Sequence, residues 1–109
     1  MTDKEISSII RTLKAYYPYY YRDVTTPEQA KEVMEVWRTH FGEFDYELVK
    51  KAVDKWGGKQ SSAPSIADLK STLFSFYSEI DWEIKDAEPE KAEKLEKWRQ
   101  LIWIKCRTK

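Results

Sequence analysis

Cysteine is almost missing. Cys106 stands alone, so no internal disulfide can form and nothing points to a cross-linked secreted domain. Histidine is as scarce: His40 is the only one, with no HExxH spacing and no cysteine beside it, so zinc has no ligand set. Three glycines and four prolines leave no loop of the GxGxxG or GxxxxGK(S/T) type, and nucleotide phosphates therefore find no backbone cradle. Uncharged runs fall far short of the ~20 apolar residues of a membrane span. The charged start Met1-Thr2-Asp3-Lys4-Glu5 opens no signal-peptide core. A surplus of one charge is lacking too, with 19 basic and 19 acidic side chains, which excludes a strongly basic nucleic-acid binder and an acidic-tail protein. These absences predict a soluble, reduced, cytoplasmic protein with no cofactor, no metal and no catalytic group.

What is present suits one globular domain. The 109 residues are 41% hydrophobic and 35% charged, and a domain of this size buries roughly two-thirds of its unfolded surface. Aromatic content is high at 15%, with five tryptophans, Trp37, Trp56, Trp82, Trp98 and Trp103. Side chains this large belong to a core, to a partner surface, or to both.

Helical periodicity covers nearly the whole chain. Thr2 with Glu5 reads as a capping box, and Ile6, Ile9, Ile10 and Leu13 follow at i, i+3, i+4 and i+7. Pro18 ends that helix, because it pushes the preceding residue out of the α region. Thr26-Pro27-Glu28-Gln29 is a second start, with a capping threonine and a proline at the first helical position. Ala30, Val33, Met34, Trp37 and Phe41 should form its buried face, and Gly42 a left-handed terminator. Asp45 is expected to cap a third helix carrying Leu48, Val49, Ala52, Val53 and Trp56, stopped by Gly57-Gly58. Ser65 with Asp68 opens a fourth, with Ile66, Leu69, Leu73, Phe76 and Tyr77 inward. An acidic stretch runs from Ser78 to Glu90, and Pro89 begins a last helix with Leu95, Trp98 and Ile102 on one side. No run alternates over strand length, and Tyr19 to Val24 reads as loop. The expected fold is all-α: a compact bundle of four short helices over residues 1–78, then an acidic linker and a basic, Trp-rich amphipathic C-terminal helix over residues 79–109. Ile9, Leu13, Trp37, Val49, Val53, Leu69 and Leu73 should share one core.

Charge is divided along the chain. Residues 1–90 hold 12 basic and 17 acidic side chains, whereas residues 91–109 hold 7 basic and 2 acidic. The tail therefore pairs with the body, forms a solvated helix face, or grips a partner. His40, near the end of the second helix, reads as a dipole partner or surface residue. Cys106 lies between Lys105 and Arg107, cations that would lower its pKa, but no third group orients it as a nucleophile. The cluster Tyr16-Tyr17-Pro18-Tyr19-Tyr20-Tyr21 could stack bases beside Arg11, Lys14 and Arg22. It could equally make a packed loop with buried rings and wet hydroxyls.

Taken in order, several segments resemble one family. They are a first helix ending in Tyr17-Pro18, the Thr26-Pro27-Glu28 start, and a helix bearing Trp37 and Phe41. Asp45-Tyr46-Glu47-Leu48-Val49 with Ala52-Val53 follows, then Ala63-Pro64-Ser65-Ile66. Over about residues 6–73 the chain is similar to the phage replicative-helicase loader and inhibitor proteins, small helical proteins without an ATPase. Where members often carry an aromatic and a second proline, Ser62-Ala63 stand here. Members have a poorly ordered C-terminal part implicated in helicase contact, whereas residues 78–109 here carry tryptophans and read as partly helical.

The resemblance implies a non-catalytic binder of a hexameric DnaB-type helicase in a bacterial host. Such a protein holds the helicase inactive and helps deliver it to an origin, with an origin-bound initiator as a further partner. Two alternatives stand beside it: a small phage protein binding single-stranded DNA, and a helical adaptor unrelated to replication. The expected partner surface is the C-terminal helix, with Trp98, Arg99, Ile102, Trp103, Arg107 and Lys109; the alternative is that this helix folds back, Trp98 completing the bundle and Trp103 closing the same core or a crystal or dimer contact. Trp and Arg dominate interface hot spots, and one helical stripe cannot bury all these apolar side chains.

Overall fold

A computed structural model describes residues 1–107, so Lys109 lies outside the described residues. The chain is all-α, with no strand among the described residues. Its helices are α1 (Asp3–Tyr16), α2 (Pro27–Phe41), α3 (Tyr46–Lys59), α4 (Ile66–Phe74), α5 (Tyr77–Ile84) and α6 (Pro89–Cys106).

The starts follow local chemistry. Thr2, Thr26 and Ser65 each accept a hydrogen bond from the backbone three residues on, and Glu5, Gln29 and Asp68 each return one, which makes three complete capping boxes. Pro27 and Pro89 occupy first helical positions, where no partner exists for the missing N–H.

The second helix ends before Gly42 as expected, but the conformation of that glycine and the ends of the next two helices are corrected. Gly42 is right-handed, at φ −58° and ψ −30°. The reversal is made instead by a turn in which the Phe44 N–H donates to the Phe41 carbonyl at 3.0 Å, and it buries both rings. Gly57 and Gly58 lie inside α3, which runs on to Lys59. Each costs a helix about 1 kcal/mol relative to alanine. At Gly57 the missing side chain makes room, since a Cβ there would stand 2.7 Å from the Tyr16 ring. The fourth helix stops at Phe74, and Tyr77 belongs to α5. At the break the Ser75 and Phe76 N–H groups donate to Thr72 and Leu73, at 3.1 and 3.0 Å. These tighter three-residue spacings turn Phe76 and Ile80 into the core. The acidic stretch therefore contains a helix.

All seven expected core residues are buried, with Ile6, Phe41, Phe44 and Leu48 among their neighbours. The same cluster takes Phe76 and Ile80 from the α4–α5 region and Leu95, Ile102 and Cys106 from α6. Ala30 is the exception on α2. It is exposed, and Val33 and Met34 are half-buried, because α2 packs through its Trp37 and Phe41 end.

The tyrosine cluster ties loops together. Tyr17 donates to the Gln60 carbonyl at 2.7 Å and Tyr20 to that of Pro64 at 3.3 Å. The Ala63 N–H donates to the Tyr19 hydroxyl, and the Trp37 indole donates to that of Tyr21 at 2.9 Å. The hydroxyls expected to be wet thus hold the loop after α1 against the loop before α4. Burial pushes the Tyr20 phenol well above its ordinary range, with Tyr21 adding to the shift.

Candidate partner interface

The apolar residues of α6 fall on two faces. Leu95, Ile102 and Cys106 point inward and are buried. Gln100, Trp103, Ile104 and Arg107 repeat at i, i+3, i+4 and i+7 on the outward side, where Trp103 is 44% exposed and Ile104 73%. The expected surface is thereby divided. Ile102, with no exposure at all, is a core residue and cannot touch a partner. Ile104, absent from the expected set, is the isoleucine that α6 exposes. Spacing already separates the two, since Ile102 lies four residues after Trp98 and Ile104 does not; which of the two faces is buried is decided by packing on α4 and α5.

Trp98 is half-buried. Its indole N–H donates to the Asp45 carboxylate, and Lys94 lies 4.9 Å from its ring centroid. Asp45 stands at the N-cap of α3 but makes no side-chain capping bond, because it faces Trp98 instead. Arg99 is drawn to Asp81 of α5 in an ion pair. Lys94 and Lys105 reach Glu47 and Glu43 at 3.2 and 3.4 Å. Part of the basic tail therefore pairs with the acidic body.

Trp103 is the centre of what stays open. Its ring lies 6.2 Å from that of Phe74 and 5.6 Å from that of Tyr77, and the Arg107 guanidinium sits 4.8 Å over its face. A shallow depression beside it is lined by Tyr77, Arg99, Gln100, Trp103 and Ile104. On α5, Trp82 is 70% exposed beneath Lys85. The patch around Trp103 is aromatic and cationic, with the rings of Phe74, Tyr77 and Trp103 packed on one another.

Groups that could carry chemistry are dispersed. His40 is half-buried, and desolvation, helped by Lys70 and Lys105, holds its pKa below the ordinary value. Burial pushes the Cys106 thiol up to about 11. This corrects the expectation that neighbouring cations would lower it, for desolvation outweighs Lys70 and Lys105. Among the described residues no three His, Cys, Asp or Glu side chains gather as a metal site, and no helix is long and apolar enough to cross a membrane.

Comparison with known families decides the lineage of the bundle. Residues 1–70 match the family model for the N-terminal domain of a phage helicase loader and inhibitor protein. The chain belongs to this phage helicase loader and inhibitor family. Its members are helicase-binding regulators. The match covers α1 to α3 and the first turn of α4, the same elements on which the sequence resemblance rested. It stops before α5 and α6, so the Trp103 patch lies outside the matched residues. No curated protein and no solved structure matches the chain.

Proposed function

We propose that this protein is a non-catalytic regulator of a hexameric DnaB-type replicative helicase in the cytoplasm of a phage-infected bacterium. It binds the helicase, keeps it inactive and helps deliver it to an origin, where an initiator is the further partner. Without a phosphate-binding loop it acts by differential binding: it favours one state of the ring by as much as it binds that state more tightly than the other. Neither nucleic acid nor membrane is needed for that role.

In this reading residues 1–78 are the family bundle and residues 79–109 the segment that presents it to the helicase. The contact is made by Trp103, Ile104 and Arg107, with Arg99 and Trp98 behind them. The observation that carries this assignment is the pre-braced, exposed Trp103 with Arg107 over its ring. Trp and Arg in such a setting are the residues whose truncation costs interfaces about 2 kcal/mol or more.

The test is size-exclusion co-elution with a purified DnaB-type hexamer, with and without ATP, backed by calorimetry. Wild type should co-elute and suppress unwinding. Trp103→Ala should weaken binding by roughly thirty-fold while melting close to wild type. Absence of co-elution would refute the helicase reading, and undiminished binding by Trp103→Ala would move the contact off α6.

A further inference from the structure

We propose that the groove between α1 and the N-terminal half of α2 is a second docking surface, built for an acidic amphipathic helix of a protein partner. The proposal does not rest on the helicase reading, and the groove lies within the bundle rather than on α6. The opening exists because only Trp37 and Phe41 of α2 are fully buried, whereas Val33 and Met34 touch the core and stay half-buried. Between α1 and the N-terminal half of α2 this leaves a cleft of about 250 Å³.

The walls of the cleft are apolar. Ile10 of α1 faces Val33 and Met34 of α2, and Val24 closes the end. The base is rigid. Tyr21 holds a left-handed backbone at φ 55°, a conformation that costs a non-glycine residue free energy and needs support from its surroundings. The bond from the Trp37 indole to its hydroxyl supplies that support. A preformed apolar slot takes side chains with little ordering cost to the receptor.

The rim is basic. Arg11 and Lys14 line the same cleft, are exposed, and take part in no salt bridge among the described residues. By helical spacing Glu28, Glu32 and Glu35 fall on the side of α2 away from Ala30, Val33 and Met34, and among the described residues no carboxylate lines the cleft. This sign is opposite to that of residues 1–90 as a whole, which carry 17 acidic against 12 basic side chains.

Charge complementarity selects the occupant. Ser7, Ile10, Arg11 and Lys14 run i to i+7 along α1, a length of about 10 Å or two helical turns. A helix laid beside them would seat apolar anchors at i and i+4 against Met34 and Val33 and set carboxylates on Arg11 and Lys14. A nucleic acid would find the cations but would have to line apolar walls with phosphate and sugar. The ring that borders the groove, Tyr21, is already packed 4.3 Å from Tyr20.

Two synthetic helical peptides of about four turns distinguish the possibilities. They share leucine anchors and differ only in glutamate or lysine flanks, and each is titrated into the isotope-labelled full chain. The glutamate peptide should bind saturably and shift the resonances of Ile10, Val24, Val33 and Met34, with affinity falling as salt rises. The double variant Arg11→Glu/Lys14→Glu changes exposed side chains only and should melt as wild type does, yet bind at least about ten-fold more weakly. Trp103→Ala should bind the peptide as wild type does, which separates this groove from the α6 face. Equal binding of the two peptides, shifts elsewhere in the protein, or no saturation at millimolar peptide would overturn the proposal. So would a short oligothymidylate that displaces the glutamate peptide from the groove.

Discussion

Cys106 shows how one residue's surroundings override its neighbours in sequence. Lys105 and Arg107 flank it, yet the thiol is 3% exposed and its pKa is raised from 9.0 to about 11 by burial. The unfolded thiol ionises first, so its contribution to stability is complete below pH 9 and is lost as pH rises towards 11. That loss is on the order of 2 kcal/mol. Denaturant midpoints should fall across this window, and Cys106→Ala should flatten the fall. At neutral pH a thiol reagent should label native protein far more slowly than urea-unfolded protein.

Gly57 offers a second residue-scale test. Alanine there gains about 1 kcal/mol of helix propensity but drives a Cβ to 2.7 Å from the Tyr16 ring, which must swing away from its bond to Asp54. Gly57→Ala should therefore destabilise wild type, by about 1 kcal/mol, and stabilise a Tyr16→Ala background. Equal effects in both backgrounds, measured by urea denaturation, would show that the ring does not constrain this position.

Among the helices, those whose starts are local read correctly from sequence and those whose ends are tertiary did not. Thr2, Thr26 and Ser65 cap as expected because both partners of each box lie within four residues. Asp45 has the right residue type in the right place but gives its carboxylate to Trp98, 53 residues away in the chain. This predicts that Asp45→Ala and Trp98→Phe are coupled in a double-mutant cycle, by about 1 kcal/mol. Independent effects would instead mean that Asp45 acts as an ordinary cap. The break at Ser75–Phe76 has the same origin. Its residues tolerate a helix, and it is the burial of Phe76 and Ile80 that rotates the chain.

At the scale of the molecule, α6 is both brace and display. It contributes Leu95, Ile102 and Cys106 to the core, while Trp103 and Ile104 face out. Burying side chains of this kind stabilises a fold by roughly 1.5–3 kcal/mol each, a large share of the ~5–15 kcal/mol that keeps a domain folded. Deleting residues 91–109 should therefore lower the melting temperature severely or leave no cooperative transition by calorimetry. A truncated chain that melts like the full one would show that α6 adds nothing to the bundle. Loss of helicase binding by the deletion would carry no meaning for the interface, which is why the single substitution at Trp103 is the proper probe.

The all-α class, the order of the helices, their starts and the seven-residue core were legible because they depend on periodicity and on contacts a few residues apart. So was the family, whose marks lie in the caps, turns and buried stripes of residues 1–70. Three features were decided only by the packing of distant elements. Ile102 turned inward and Ile104 outward because α6 rests on α4 and α5. The tyrosine hydroxyls found carbonyls some 43 residues along the chain. The cleft beside Arg11 opened because α2 is fully buried only at Trp37 and Phe41 and half-buried at Val33 and Met34. Side-chain type and spacing set what a helix can bury; which of its faces meets a neighbour is set by the free energy of closing all six helices on one core.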